Sequence, residues 1–236
     1  MSIAKKIQDF LAARGLYVQL KPPHELRRRR ALLRHHGIEM VLDVGANVGQ
    51  YGGELRQLGY TGTIHSFEPT AAAFAALQAV AAGDPQWQVH QLALGAAAGV
   101  GEINVSQNSY SSSLRDLLPE HLEGAPDSVY VAKETIQLST VDEQFAALRL
   151  AGKKTYLKID TQGYEREVLK GAQQSLGDVR AIQLEISLVP LYDQGLGLEE
   201  CMALLTERGF RLVGLEPGFY HSDTGEQLQV DGIFVR

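Results

Sequence analysis

The sequence predicts an α/β fold: a seven-stranded, mostly parallel sheet, doubly wound by helices on both faces, with an antiparallel last strand. Three observations carry that expectation. From residue 41 onward short β-rich runs alternate with helix-like stretches, the pattern of βα units rather than of a sandwich or a bundle. The stretch VLDVGANVGQ at 41–50 joins an apolar strand to a glycine-bearing turn and a helix start, which is where open α/β sheets hold ligands. A length of 236 residues with 44% hydrophobic content suits one sizeable domain with its own core.

Strands are expected at 40–45, 62–69, 87–95, 155–160, 181–187, 210–217 and 231–236, short runs rich in β-branched or apolar residues. Helices are expected at 49–58, 70–82, 163–176 and 198–208. Gly209 closes the last of these, at the position where left-handed backbone favours a residue without Cβ. The Pro, Gly and Asp residues at 217–225 mark a turn segment, so the final two strands are read as antiparallel.

Two stretches break the alternation. Residues 1–36 read as an N-terminal helical extension ahead of a domain at 37–236, with a turn at the prolines of LKPPHEL. Residues 101–141 read as an insertion near the active site: a hairpin of GEINVS and ETIQLS around the polar segment 107–128. An insertion of this length between sheet strands is expected to carry function.

A net charge of −6 disfavours a nucleic-acid partner, although 21–36 is locally basic. Arg27 to Arg30 read as a solvated helix face, with docking of an anionic nucleotide or glycolipid carrier as the alternative. A single cysteine, Cys201, cannot form an internal disulfide, and no apolar signal core follows Met1, so a cytoplasmic location is expected. The alanine-rich run at 71–82 is shorter than the roughly 20 residues of a membrane span, and no stable membrane insertion is expected.

Asp43, Gly45, Asn47 and Gly49 occupy the first turn. Their G-x-N-x-G pattern lacks the middle glycine that lets a pyrophosphate approach in the dinucleotide fingerprint, and Asn47 puts a side chain in that path. No lysine followed by Ser or Thr makes the turn a P-loop. Glu68 ends the second strand twenty-five residues after Asp43, placed to accept hydrogen bonds from two ribose hydroxyls. An adenosine without a required phosphate points to S-adenosylmethionine, whose ammonium Asp43 would help to neutralise.

The stretches VLDVGANVGQY (41–51), SFEP (66–69), LALG (92–95), LSTVDE (138–143), LKIDTQGYEREVLKGA (157–172) and LEIS (184–187) resemble those of the FkbM-type S-adenosylmethionine-dependent methyltransferases, over about residues 38–236. The resemblance implies a Rossmann-like class I methyltransferase fold. It implies cofactor contacts from Asp43, Gly45, Ala46, Asn47, Gly49, Glu68, Pro69, Ala93, Leu94, Gly95 and Asp160. It also implies O-methylation, often of sugar or other natural-product hydroxyls. Gln162 departs from the pattern, because an acid often precedes the glycine there.

Methyl transfer from a sulfonium chiefly demands alignment and exclusion of water, but a neutral hydroxyl also needs help to become a nucleophile. Asp160 ends the fourth strand, with Lys158 on the same face, and Glu185 ends the fifth. The two acids read either as base and orienter or as ligands of a divalent cation; alternatively Asp160 caps the helix that follows. Glu165 and Arg166 read as helix-surface charges. His221, in the segment 216–225, becomes catalytic if that segment folds over the acceptor. The NSYSSSL stretch at 108–114 reads as a cover for the cofactor or a contact for the acceptor, with Tyr110 as a stacking face. His35, His36, His65 and His90 lack metal-site spacing, and the last two read as structural.

The expected function is thus O-methylation of a small-molecule or glycan acceptor, most simply a sugar hydroxyl. Two rival readings are a nicotinamide-dependent oxidoreductase on the same fold and a non-catalytic S-adenosylmethionine-binding protein. Homo-oligomer formation is left open.

Overall fold

A computed structural model describes residues 23–236, so the first part of the expected N-terminal extension lies outside the described residues. Pro23 precedes helix α1 (His24–His35), as suits a residue with a fixed φ and no N–H to leave unpaired. The chain then runs through β1 (Met40–Val44), α2 (Gln50–Gln57), β2 (Thr63–Phe67), α3 (Ala71–Ala81), β3 (Trp87–His90), β4 (Ala93–Leu94) and β5 (Gly99–Ser106). After the short α4 (Pro119–Gly124) come β6 (Tyr130–Ser139), α5 (Val141–Ala147), β7 (Thr155–Ile159), α6 (Glu165–Lys170), β8 (Val179–Ser187), α7 (Leu198–Glu207), β9 (Arg211–Pro217) and β10 (Gln229–Val235).

Seven strands form one Rossmann-like sheet in the order β3-β2-β1-β7-β8-β10-β9. All neighbours are parallel except β10, which runs antiparallel to both β8 and β9. The order reverses between β1 and β7, and such a switch point opens a crevice at the carboxyl ends of the two strands. One core cluster packs β7 and β8 against α5, α6 and α7, around Leu157, Ile159, Ile182 and Leu184. A second lies around Val41, Leu55, Ile64 and Leu77 and takes in Leu33 of α1. Both faces of the sheet are therefore covered, which explains the near-continuous apolar runs of its strands.

Three elements differ from the sequence expectation. The run 87–95 is two strands, because the chain leaves the main sheet after His90 and Leu94 pairs with Ser139 in a separate three-stranded sheet, β4-β6-β5. The helix expected at 163–176 stops at Gly171, whose position faces the main-chain oxygen of Gly95 at a distance that leaves no room for a Cβ. Helix α5 was not among the expected elements, although Thr140 and Glu143 form a complete capping box that its sequence displays. The insertion is the expected hairpin: β5 and β6 pair antiparallel from Gly99↔Leu138 to Ser106↔Tyr130, and its loop turns back toward the switch point. Gly209, at φ +80°, follows α7 as expected.

Candidate active site

At the switch point lies a cleft of about 430 Å³. One wall is formed by Gly45, Ala46, Asn47, Glu68, Pro69 and the β4 residues Ala93 and Leu94, the residues expected to meet the cofactor; Ser109, Tyr110 and Ser112 of the insertion close it from above. The turn is fixed by main chain, since the N–H groups of Gly45 and Ala46 both donate to the carbonyl of Phe67 at 3.0 Å. Gly45 (φ +78°) and Asn47 (φ +47°) both take left-handed backbone, and Asn47 anchors the insertion by donating from Nδ2 to Ser109 O at 3.1 Å. Its other side-chain atom, Oδ1, is buried and has no hydrogen-bond partner among the described residues.

Glu68 is held in place from three sides. Its Oε2 accepts from Asn47 N–H at 3.0 Å, and its Oε1 from the N–H and hydroxyl of Thr70 at 2.9 and 2.6 Å. Burial raises its carboxyl above the ordinary range, while those three donors pull the other way. Thr70 precedes α3 in the N-cap position but gives its hydroxyl to Glu68, so the helix start serves the site instead of itself. Each carboxylate oxygen retains acceptor capacity for a ribose hydroxyl.

Asp43 lies below the floor of the cleft. It is fully buried, accepts from Ser66 Oγ at 3.0 Å and pairs with Lys158 Nζ at 3.1 Å. Lys158 also donates to Gly45 O at 3.1 Å and stands 3.4 Å from Asp160 Oδ2. Burial works against the charge on this lysine, but Asp43 and Asp160 outweigh it and raise its pKa. The expectation that Asp43 meets the cofactor ammonium changes accordingly: its charge is already matched, and it braces the turn through Lys158. Gly49 likewise stays outside the cleft wall, at the N-cap of α2, where its φ of +90° favours glycine.

Beyond Asp160 the cleft is lined by Gln162, Gln183, Glu185 and Asp231. Strand register explains the grouping: Lys158 sits beside Gln183 on β8, and Glu185 lies directly opposite Asp231, which in turn lies opposite Glu216 on β9. Alternation along each strand turns all of them to one face. Gln162, at φ +55°, bridges the two expected acids by donating from Nε2 to Asp160 Oδ1 and Glu185 Oε2, each at 2.8 Å, while Tyr192 donates to its Oε1. Burial, then the nearby Asp160, Glu165 and Asp231, push the Glu185 carboxyl well above its ordinary value.

Four expectations change here. Asp160 caps no helix; the turn at 161–163 is satisfied by Glu165, whose Oε1 accepts from Thr161 and Gly163 N–H at 2.9 and 3.2 Å. Glu165 is therefore a buried structural acid rather than a surface charge, and Arg166 is half-buried in an ion pair with Glu200 at 2.6 Å. Arg29 is buried too: it holds Glu54 at 2.9 Å and Glu216 at 2.8 Å, lies over the Tyr51 ring and lines the far end of the cleft. Arg28 is tied to Glu216 at 3.0 Å, so the middle of the basic run is engaged within the fold. His221 is not brought to the cleft, because its loop closes on itself through His221 N–H to Glu226 O and Asp223 N–H to His221 Nδ1. His65 and His90 meet each other at 3.2 Å as a structural pair.

The donor set does not suit a divalent cation between Asp160 and Glu185. The amide nitrogen of Gln162 fills the space between the two carboxyls, and among the described residues no three His, Cys, Asp or Glu side chains are grouped to hold a metal ion. No helix among the described residues is long and apolar enough to cross a membrane.

A family model for the methyltransferase FkbM domain matches residues 43–212. No curated relative matches. Similar solved structures include a TehB-like S-adenosylmethionine-dependent methyltransferase from Corynebacterium glutamicum, 10% identical over 99% of this chain and 95% of that one, with a TM-score of 0.44. Another is the Aeropyrum pernix fibrillarin with natively bound S-adenosylmethionine, 11% identical over 89% of this chain and 74% of that one, with a TM-score of 0.46. An rRNA methylase from Streptococcus thermophilus is 9% identical over 93% and 99%, with a TM-score of 0.45. These likenesses do not bear on the acceptor. The matched family does decide between the two cofactors considered for the glycine turn, in favour of S-adenosylmethionine over a nicotinamide dinucleotide. The chain belongs to the FkbM family of S-adenosylmethionine-dependent methyltransferases.

Proposed function

We propose that this methyltransferase acts on a hydroxyl, and that the hydroxyl belongs to a sugar in a glycan, glycolipid or glycosylated natural product. The observation that supports this reading most is the polar row at the far side of the cleft. Asp160, Gln162, Gln183, Glu185 and Asp231 converge there, with the exposed ring of Tyr110 above. A polyol presents several donors and acceptors at once, and a set of carboxyls and amides with one stacking face is matched to it.

Bound S-adenosylmethionine supplies an already activated methyl group. This chain's residues do the rest. Asn47 and Glu68 hold the adenosine end, with the Gly45 turn in close main-chain approach. Asp160, whose side chain is 39% exposed, accepts a hydrogen bond from a neighbouring hydroxyl of the acceptor and orients the sugar. Glu185, whose carboxyl burial pushes toward the protonated form, faces a second acceptor oxygen. The Asn47–Ser109 hydrogen bond keeps the insertion over the reacting atoms and excludes water.

Transfer of labelled methyl from S-adenosylmethionine to a panel of glycosides, phenols, peptides and RNA tests the proposal, with the methylated position read by mass spectrometry. The expected result is O-methylation of a glycoside. Efficient transfer to a phenol, peptide or RNA, with none to any sugar, overturns the sugar assignment. Cofactor binding with no transfer at all would instead favour a non-catalytic binding protein.

A further inference from the structure

We infer that Asp231, on the last strand and outside the stretch matched by the family model, is the catalytic residue that takes the proton of the acceptor hydroxyl; this rests on the reading of the cleft as the site of hydroxyl methylation. Three observations carry it. Asp231 lines the same cleft as Asp160 and Glu185 and lies directly across the strand pair from Glu185. Its Oδ2 is fixed by Gln183 Nε2 at 3.0 Å, while among the described residues Oδ1 accepts no hydrogen bond, and the residue lines the cleft. The other acids there are engaged: Asp160 has Gln162 on one oxygen and Lys158 near the other, Glu185 accepts from Gln162, and Glu216 is bound to Arg28 and Arg29.

Gln183 makes the orientation one-sided. Its Oε1 accepts from the hydroxyls of Tyr51 and Tyr156 at 3.0 and 2.9 Å, so its amide group can present only N–H to Asp231. The aspartate is thereby held by one oxygen with the other directed to the ligand, the arrangement a general base requires. In the reaction the methyl carbon exchanges its bond to sulfur for one to the acceptor oxygen. The sulfonium becomes a neutral thioether, and the hydroxyl proton passes to Asp231 Oδ1.

The surroundings suit that task. Lys158 and Asp160 face Asp231 from β7, Glu185 from β8, Glu216 from β9, Tyr51 from α2 and Arg29 from α1. Burial first, and then the charge of Asp160, raise the Asp231 carboxyl to about 6. A base with such a value is ionised near neutral pH yet basic enough to hold a proton in the transition state.

The test uses the wild-type enzyme and Asp231→Asn with labelled S-adenosylmethionine and the glycoside that the wild type methylates best. The wild-type rate is expected to fall on acidification with a midpoint near about pH 6, and the asparagine variant to lose roughly a hundredfold in kcat with that inflection gone. Its affinity for S-adenosylhomocysteine should stay within about threefold, because Asp231 lies on the acceptor side. Carbon-13 NMR of labelled aspartate in the wild type gives an independent readout, with the Asp231 carboxyl expected to titrate near that same pH. A rate that holds in Asp231→Asn, or an Asp231 signal that titrates as an ordinary aspartate does, overturns the assignment. If the wild type methylates a phenol and no glycoside, the sugar reading fails, and the same profile taken on that phenol decides the role of Asp231.

Discussion

A Cβ on Gly45 would stand 1.8 Å from the main-chain oxygen of Asp160. The first turn and the end of β7 are thus in contact, backbone to backbone, and the glycine is required by the fold before any ligand arrives. Gly45→Ala should destabilise the protein by about 3 to 5 kcal/mol, since neither main chain can move aside and φ is +78°. Gly49→Ala is the comparison: there the nearest obstacle is the tip of Leu77 at 2.9 Å, which can rotate, and the loss should be about 1 to 2 kcal/mol. Urea denaturation of both variants checks this. A Gly45→Ala protein as stable as Gly49→Ala would contradict it.

Glu68→Ala should weaken binding of S-adenosylhomocysteine by about 1.5 to 3 kcal/mol, the range for hydrogen bonds to a charged group. The carboxylate also secures Asn47 and Thr70, so the control is Thr70→Val, which removes the 2.6 Å hydroxyl bond and leaves the acid. Thr70→Val should change affinity by less than about 1 kcal/mol. Titration calorimetry separates the two effects; equal losses in both variants would mean that Glu68 acts only through the loop.

How much of this site can be read in the sequence depends on whether a residue's role is local. Gly45, Asn47 and Glu68 were legible because strand, turn and helix start are consecutive in the chain, and their chemistry follows from spacing. Asp231 carries no such mark. Its neighbours arrive from β7, β8 and β9, and only the strand order, with β10 inserted between β8 and β9, sets it beside Glu185. Arg29 looks the same as Arg27, Arg28 and Arg30 in sequence; its helical phase, four residues before the buried Leu33, is the one cue that it points inward. Glu165 misled for a related reason, since a first-turn glutamate is usually exposed and here folds back under its own turn to hold Thr161 and Gly163.

Lys158→Met should cost about 3 to 5 kcal/mol of stability, because it leaves the fully buried Asp43 with Ser66 as its remaining side-chain partner. Removing both charges is expected to be milder. The double variant Asp43→Asn with Lys158→Met should recover at least about 1 kcal/mol relative to Lys158→Met alone. Thermal denaturation of the three proteins checks the coupling, and strictly additive losses would show that the 3.1 Å pair contributes nothing of its own.

Asp160→Asn should keep the fold and lose turnover, by about tenfold or more, because an amide in that place no longer balances Lys158 or accepts as strongly from the hydroxyl. Cofactor affinity and melting temperature are the controls. Turnover within a few-fold of wild type, with both controls unchanged, would remove Asp160 from the acceptor contacts.

The last prediction turns on the sign of the Asp231 shift. Its carboxyl is raised from 3.8 to about 6 in the folded protein, so between those values the native state keeps a proton that the unfolded chain has already released. Stability contributed by this group is therefore fully present below about pH 4, declines as pH rises toward about 6, and stays at its lower value above that. Asp231→Asn carries no charge at any of these pH values and escapes the decline. The variant should match the wild type near about pH 4 and exceed it near about pH 8 by up to about 3 kcal/mol, less whatever Lys158 returns to the ionised form. Glu185 and Glu68 are shifted in the same direction and should add to the fall of stability with rising pH, which the variant shares. Urea unfolding at the two pH values measures the difference. A variant less stable than the wild type at the higher pH would mean that the ionised Asp231 is stabilised by its surroundings, and would remove the picture of a carboxylate held at some cost to the fold for the sake of the reaction.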